Sequence, residues 1–113
     1  MKIERDIVDG VTVVAPVGRI DSTTADAVDA HILGLTFSGA PQLVVDFGGV
    51  EYISSAGLRV MLSLAKRVRE KKGGLALCAL GDGVRQVFEL AGFLPLFVIQ
   101  TTRDLAVQTL TRR

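Results

Sequence analysis

The stretch from Leu43 to Val68 constrains this chain most, because its hydrophobic period changes once and does so at a pair of serines. A short apolar run, Leu43-Val44-Val45, leads through Asp46-Phe47-Gly48-Gly49-Val50-Glu51-Tyr52-Ile53 into Ser54-Ser55-Ala56-Gly57. Beyond it, Leu58, Met61, Leu62, Ala65 and Val68 follow the spacing of a helix with one buried face, and Arg59, Lys66 and Arg67 fall on the other face. The segment predicts strand, loop, serine-bearing turn and helix. The first N–H groups of a helix have no partner within it, so Ser54 and Ser55 both stand where a side-chain oxygen is wanted as a cap. With either as the cap, a hydroxyl is presented at the positive end of a helix.

Upstream, Ile3–Val8 and Val11–Val17 are apolar-rich and β-branched, and the Asp9-Gly10 pair between them predicts a tight hairpin. Pro16 has no N–H for a ladder, which predicts a free edge or a bulge near it. Gly18-Arg19-Ile20-Asp21 ends this second strand and turns the chain. Thr23 with Asp26 has the capping-box spacing, and Ala25, Val28, Ile32 and Leu35 share one face of a first helix from about Thr24 to Phe37. The breaker cluster Ser38-Gly39-Ala40-Pro41 then separates that helix from the Leu43 strand.

Downstream, the second helix ends in basic residues that suit a negative helix terminus, and Gly73-Gly74 is expected to stop it. Leu75–Leu80 reads as a buried strand, and Asp82 as the cap of a short helix carrying Val84, Val87, Phe88 and Ala91, closed by Gly92. A last strand near Leu96–Ile99 precedes a Thr101/Asp104 capping box and a helix bearing Leu105, Ala106 and Leu110. The order ββαβαβαβα predicts an α/β fold: a mixed, mostly parallel sheet with an N-terminal antiparallel hairpin and about four helices.

A strand–helix–strand unit forces its two strands parallel, so their carboxyl ends share one edge of the sheet. That places the Gly18–Asp21 turn beside the Asp46–Ser55 loop, where Asp21 and Ser55 can meet. At 113 residues a single domain, 1–113, is expected. Thirteen Lys plus Arg against twelve Asp plus Glu leave a net charge of +1, so no overall field draws the chain to nucleic acid or an anionic membrane. No apolar run approaches a membrane span, and Met1-Lys2-Ile3-Glu4-Arg5-Asp6 lacks the apolar core of a secretory signal. The lone Cys78 has no partner for an internal disulfide and reads as strand core, which fits a reducing cytoplasm.

Catalytic chemistry lacks its parts. Ser55-Ala56-Gly57 is half of a nucleophile elbow, with Ile53 where the first glycine belongs, and the lone imidazole, His31, is expected inside the first helix. No phosphate-cradling glycine motif follows a strand, and one Cys with one His makes no zinc site, so neither cofactor nor metal is expected. An exposed serine at a helix start beside a carboxylate suits regulation by phosphorylation, and it also suits a simple cap beside a turn-forming Asp.

Gly18-Arg19-Ile20-Asp21, Val44-Val45-Asp46 and the run from Tyr52 to Leu62 resemble the bacterial anti-sigma factor antagonists, the single-domain STAS proteins. Gly73–Cys78 and Val87–Phe93 extend that resemblance over essentially the whole chain. It implies a partner switch: the unphosphorylated antagonist binds an anti-sigma factor with GHKL-type serine kinase activity, releasing a sigma factor, and a PP2C-type serine phosphatase resets the phosphorylated form. It also implies Ser55 as phosphoacceptor, Asp21 as the nearby loop carboxylate, and Ser54, Ala56, Gly57 and Leu58 as the surrounding partner-binding site. Many members carry Asp where this chain has Ser54, which places Ser55 at the cap itself. The alternative keeps the fold and drops the switch: a STAS-like scaffold subunit of a lipid-transport or sensory complex, with Ser55 a cap alone.

Overall fold

The second strand, β2 (Val11–Ile20), is the longest and most shared, and the rest of the sheet is arranged around it in a computed structural model describing residues 1–37 and 39–111. Strand β1 (Lys2–Val8) pairs with it antiparallel through the Asp9-Gly10 turn, where both residues have positive φ (52° and 79°). That is the backbone a two-residue hairpin needs to match strand twist. After helix α1 (Ala25–Leu33) and a 3₁₀ turn (Gly34–Thr36), β3 (Gln42–Asp46) returns parallel to β2. Then come β4 (Val50–Ile53), α2 (Ser55–Glu70), β5 (Gly74–Cys78), α3 (Asp82–Leu90), a 3₁₀ turn (Leu94–Leu96), β6 (Val98–Gln100) and α4 (Arg103–Thr111). The sheet order is β1-β2-β3-β5-β6, with β4 also on β2. The expected α/β architecture is therefore present, with one strand more than the sequence pattern indicates.

That strand, β4, lies inside what reads as a loop. β2 pairs with β3 over Thr12–Val14 and with β4 over Gly18–Ile20, changing partner between the two and shifting register at Gly18/Arg19. Pro16 falls in the gap, where no parallel partner asks for its missing N–H, so of the expected free edge or bulge the strand shows an exchange of neighbours with a bulge-like register shift at Gly18/Arg19. On the other side of the gap, the Asp46 carboxylate accepts the Gly48 N–H (2.8 Å) and the Phe47 carbonyl accepts the Val50 N–H (2.9 Å), kinking the chain from β3 into β4.

The two faces of the sheet carry different cores. Leu43, Val45, Ile53 and Leu77 bury against α1, α2 and α3, together with Val28, Ile32, Met61, Leu64 and Phe88. Phe88 sits edge-on to both Phe47 and Phe97 (centroids 5.9 and 5.6 Å). The opposite face buries Val13, Val44, Ala76 and Cys78 under Ala106 and Val107 of α4, and its small residues let that helix approach closely. Cys78 is fully buried, and burial pushes its thiol up to about 12, assisted by the charge of Asp46. It is core, as its sequence context indicates, and inert as a nucleophile.

Several boundaries differ from expectation, each because a local competitor wins. The first helix gives way to 3₁₀ geometry at Gly34, short of Phe37, and Ser38 of the breaker cluster lies outside the described residues. The Thr23/Asp26 capping box does not form: the cap is Thr24, with no side-chain capping bond. Gly81 rather than Asp82 caps α3, and Thr102 rather than Thr101 caps α4, its hydroxyl accepting the Leu105 N–H (3.2 Å). In α2 the buried face includes Val60 and Leu64, whereas Leu62 and Ala65 are only half-buried. In α4 Val107 is buried and Leu105 exposed.

The stop of α2 is also not the expected one. Lys72 takes the left-handed position (φ 57°), its N–H donating to the Arg69 carbonyl (3.0 Å) while Gly73 N–H reaches the Val68 carbonyl (2.8 Å). Gly73 serves a different purpose, since a Cβ there would overlap the Pro41 carbonyl oxygen. Two substitutions should therefore move stability in opposite directions. Lys72→Gly should raise it by about 0.5–1 kcal/mol by relieving a left-handed side chain, and Gly73→Ala should lower it. Urea unfolding midpoints check both, and a lowered midpoint for Lys72→Gly would refute this account of the helix stop.

Candidate functional site

The expected meeting of the Gly18–Asp21 turn with the start of α2 is built from backbone. Arg19 and Ile20 register with Tyr52 and Ile53, and the Ser54 N–H donates to the Ile20 carbonyl (2.8 Å). The helix begins immediately afterwards. Ser54 is extended (φ −94°, ψ 176°), its carbonyl accepts the Leu58 N–H (2.9 Å), and its Oγ accepts the Gly57 N–H across a long 3.4 Å. Ser54 is thus the cap, and Ser55 is the first residue of the helix. This corrects the expectation that Ser55 occupies the cap. The Ser55 side chain is exposed, whereas Ser54 is half-buried.

Gly57 explains why the helix can start so close to the sheet. A Cβ on it would come within 2.7 Å of Ile53 Cγ1 and 2.8 Å of Ile20 Cγ2, so any side chain there would push the first turn, and Ser55 with it, off the strand ends. Gly57 and Leu58 are buried beneath the first turn that carries Ser55. Ala56 is half-buried and lines a groove between α1 and α2.

Asp21 organises the facing loop. Its Oδ1 accepts both the Thr23 N–H (2.9 Å) and the Thr23 hydroxyl (2.7 Å), and its carbonyl accepts the Ala25 N–H (2.8 Å). The Asp21 N–H donates in turn to Thr24 Oγ1 (2.9 Å), which itself donates to the Arg19 carbonyl (2.8 Å). The Thr23 bonds, followed by the Arg19 charge, hold the Asp21 carboxyl below the usual carboxylate range against a modest opposing effect of burial. Asp21 is therefore a fixed anion at neutral pH and well into acid. It reaches the same sheet edge as Ser55, but among the described residues no hydrogen bond joins the two.

Two residues escape a sequence-level search for this site. The Arg19 guanidinium lies 4.4 Å from the centroid of the exposed Tyr52 ring and 3.9 Å, at Nε, from Asp21 Oδ2. The Arg19/Asp21 spacing of two places both on one side of a strand end, which is a legible signal. The stacking partner is not legible without β4, because Tyr52 faces Arg19 only through that pairing. His31 stands in the last turn of α1, with its Nε2 buried and unpartnered.

A STAS-domain profile matches residues 2–106. A Bordetella bronchiseptica protein, BtrV, named as a candidate anti-sigma factor antagonist, is 40% identical over 106 residues, covering 94% of this chain and 91% of its own. An anti-sigma factor antagonist from Mycobacterium paratuberculosis superposes with a TM-score of 0.89 at 28% identity, covering 98% of this chain and 94% of that one. The Bacillus protein SpoIIAA shares the fold in both its unphosphorylated form (TM-score 0.80, 21% identity, 96% and 95% covered) and its phosphorylated form (0.73, 20%, 96% and 98%). With a profile spanning nearly the whole sequence and a relative this similar, the chain belongs to the STAS-domain family of anti-sigma factor antagonists.

Proposed function

We propose that residues 1–113 act as a single STAS domain that binds an anti-sigma factor with GHKL-type serine kinase activity while Ser55 is unmodified, thereby releasing a sigma factor. Phosphorylation of Ser55 ends that binding, and a PP2C-type serine phosphatase restores it. The setting is the cytoplasm, with no nucleic acid or membrane contacted directly. The observation that carries this reading is the division of labour between the two serines. Ser54 caps α2, so the Ser55 hydroxyl is exposed and has no capping duty. In the scaffold alternative Ser55 would be an ordinary exposed residue of the first helical turn, the cap being Ser54.

Charge explains how the switch acts. A phosphate adds about −1.5 to −2 charges at pH 7, against about +0.5 from the helix terminus, so the edge becomes anionic beside the fixed charge of Asp21. Phosphate at a helix start is compatible with the helix, so the modification acts on the docking surface without refolding it. The named relatives are regulatory binding proteins, and a half elbow without a neighbouring base supports the same non-enzymatic role for this chain.

Two measurements follow. Ser55→Glu should weaken binding of the anti-sigma partner by more than about tenfold relative to Ser55→Ala, or about 1.4 kcal/mol, with little change in melting temperature. Equal affinities would remove added charge as the signal. Fragment-resolved mass spectrometry after kinase treatment should place the phosphate on Ser55 and lose it in Ser55→Ala. Ser54→Ala should keep the site while lowering stability by about 0.5–1 kcal/mol, the low end for a cap given its long bond. A fully phosphorylated Ser55→Ala protein would reassign the acceptor.

A further inference from the structure

One turn beyond Ser55 stands Arg59, exposed on the same helix. Residues four apart on a helix are surface neighbours, and helical side chains lean back toward the N-terminus, so a group on Ser55 lies within reach of the Arg59 side chain. Arg59 also lines the groove of about 400 Å³ between α1 and α2, with Asp26 and Asp29 opposite and Ala56 and Ser63 beside it. Two other charges in or near the groove are already engaged. Asp29 pairs with Arg67 at 2.9 Å, and Asp21 with Thr23 and, more distantly, Arg19. Arg59 makes no ion pair among the described residues, not even with Asp26 across the groove.

We propose that Arg59 receives phosphorylated Ser55: a phosphate on Ser55 Oγ closes an i, i+4 ion pair with the guanidinium and draws Arg59 out of the α1–α2 groove. This rests on Ser55 as the acceptor and adds how the modification is read within the chain. The unmodified protein offers a docking partner one unpaired cation beside Asp26, which suits an acidic side chain. The modified protein offers Asp26 without that cation and an anion at the helix start. Phosphorylation thus acts twice, by repelling the partner and by claiming the residue an acidic partner group would use. The dianion is the stronger competitor, because a guanidinium meets phosphate oxygens in a charge-assisted, two-pronged geometry.

The test needs neither kinase nor partner. Phosphoserine is installed at position 55 of the full chain by genetic-code expansion, and its second ionisation is followed by ³¹P NMR. With Arg59 present, that ionisation should fall at a pH lower by about half a unit than in Arg59→Gln, a roughly threefold change in proton affinity. Arg59→Lys should restore part of the difference, and raising salt to about 1 M should shrink it. Asp21, Asp26 and Asp29 are common to all three proteins, so their influence cancels in the comparison. Identical titrations for the Arg59 and Arg59→Gln proteins would overturn the proposal even where Ser55 is a true acceptor. A kinase that leaves Ser55 unmodified would overturn the switch and leave this measurement meaningful.

Discussion

The hydrogen bond from the Ser54 N–H to the Ile20 carbonyl is the joint on which the functional edge depends. It continues the β2–β4 ladder by one residue and ends it at the residue that also caps α2. One serine therefore closes a strand pairing and opens a helix. Its backbone answers the sheet, its carbonyl and hydroxyl answer the helix, and its successor is left with an exposed hydroxyl. Gly57 makes the joint sterically possible, because a methyl group there would strike Ile20 and Ile53, the two strand ends being joined.

The joint exists because β2 changes partners along its length. A strand of ten residues cannot be matched by the five of β3, and the kink at Gly48-Gly49 lets the chain return to pair with its far end. Asp46 stabilises the kink from both sides. One carboxylate oxygen accepts the Gly48 N–H, and the other takes the Arg103 guanidinium at 2.9 Å. The first turn of α4 on the back of the sheet is thereby tied to the loop that delivers Tyr52 and Ser54 to the front. Half-buried and hydrogen-bonded, such a pair would be costly to break by removing Arg103 alone, since the Asp46 carboxylate would lose its partner.

Most of the charges at this edge already have partners. Asp21 is held as an anion by Thr23, Arg19 is shared between Asp21 and the Tyr52 ring, and Arg67 is committed to Asp29. Against that background a single added phosphate is a large perturbation. The surrounding strands and helices are fixed by apolar burial on both sheet faces and by the backbone ladders between paired strands, so added charge is expressed at the surface instead of in the fold.

Much of this was readable residue by residue. Asp9-Gly10 could make little but a tight turn, because both positions demand positive φ beside β-branched runs. Helical spacing from Leu58 and the breakers around it set where α2 lies, and the order of strands and helices forced β2 and β3 parallel, bringing Asp21 and the serines to one edge. What local pattern left open was decided by partners distant in sequence. Val50–Ile53 becomes a strand only because the far half of β2 lacks a neighbour, and Tyr52 finds Arg19 only through that strand. Ser54 rather than Ser55 becomes the cap because Ile20 claims its N–H and fixes it as extended. Sequence period reports which side of an element is apolar; which polar group meets which is settled by backbone hydrogen bonds across the sheet, whose partners lie some thirty residues apart.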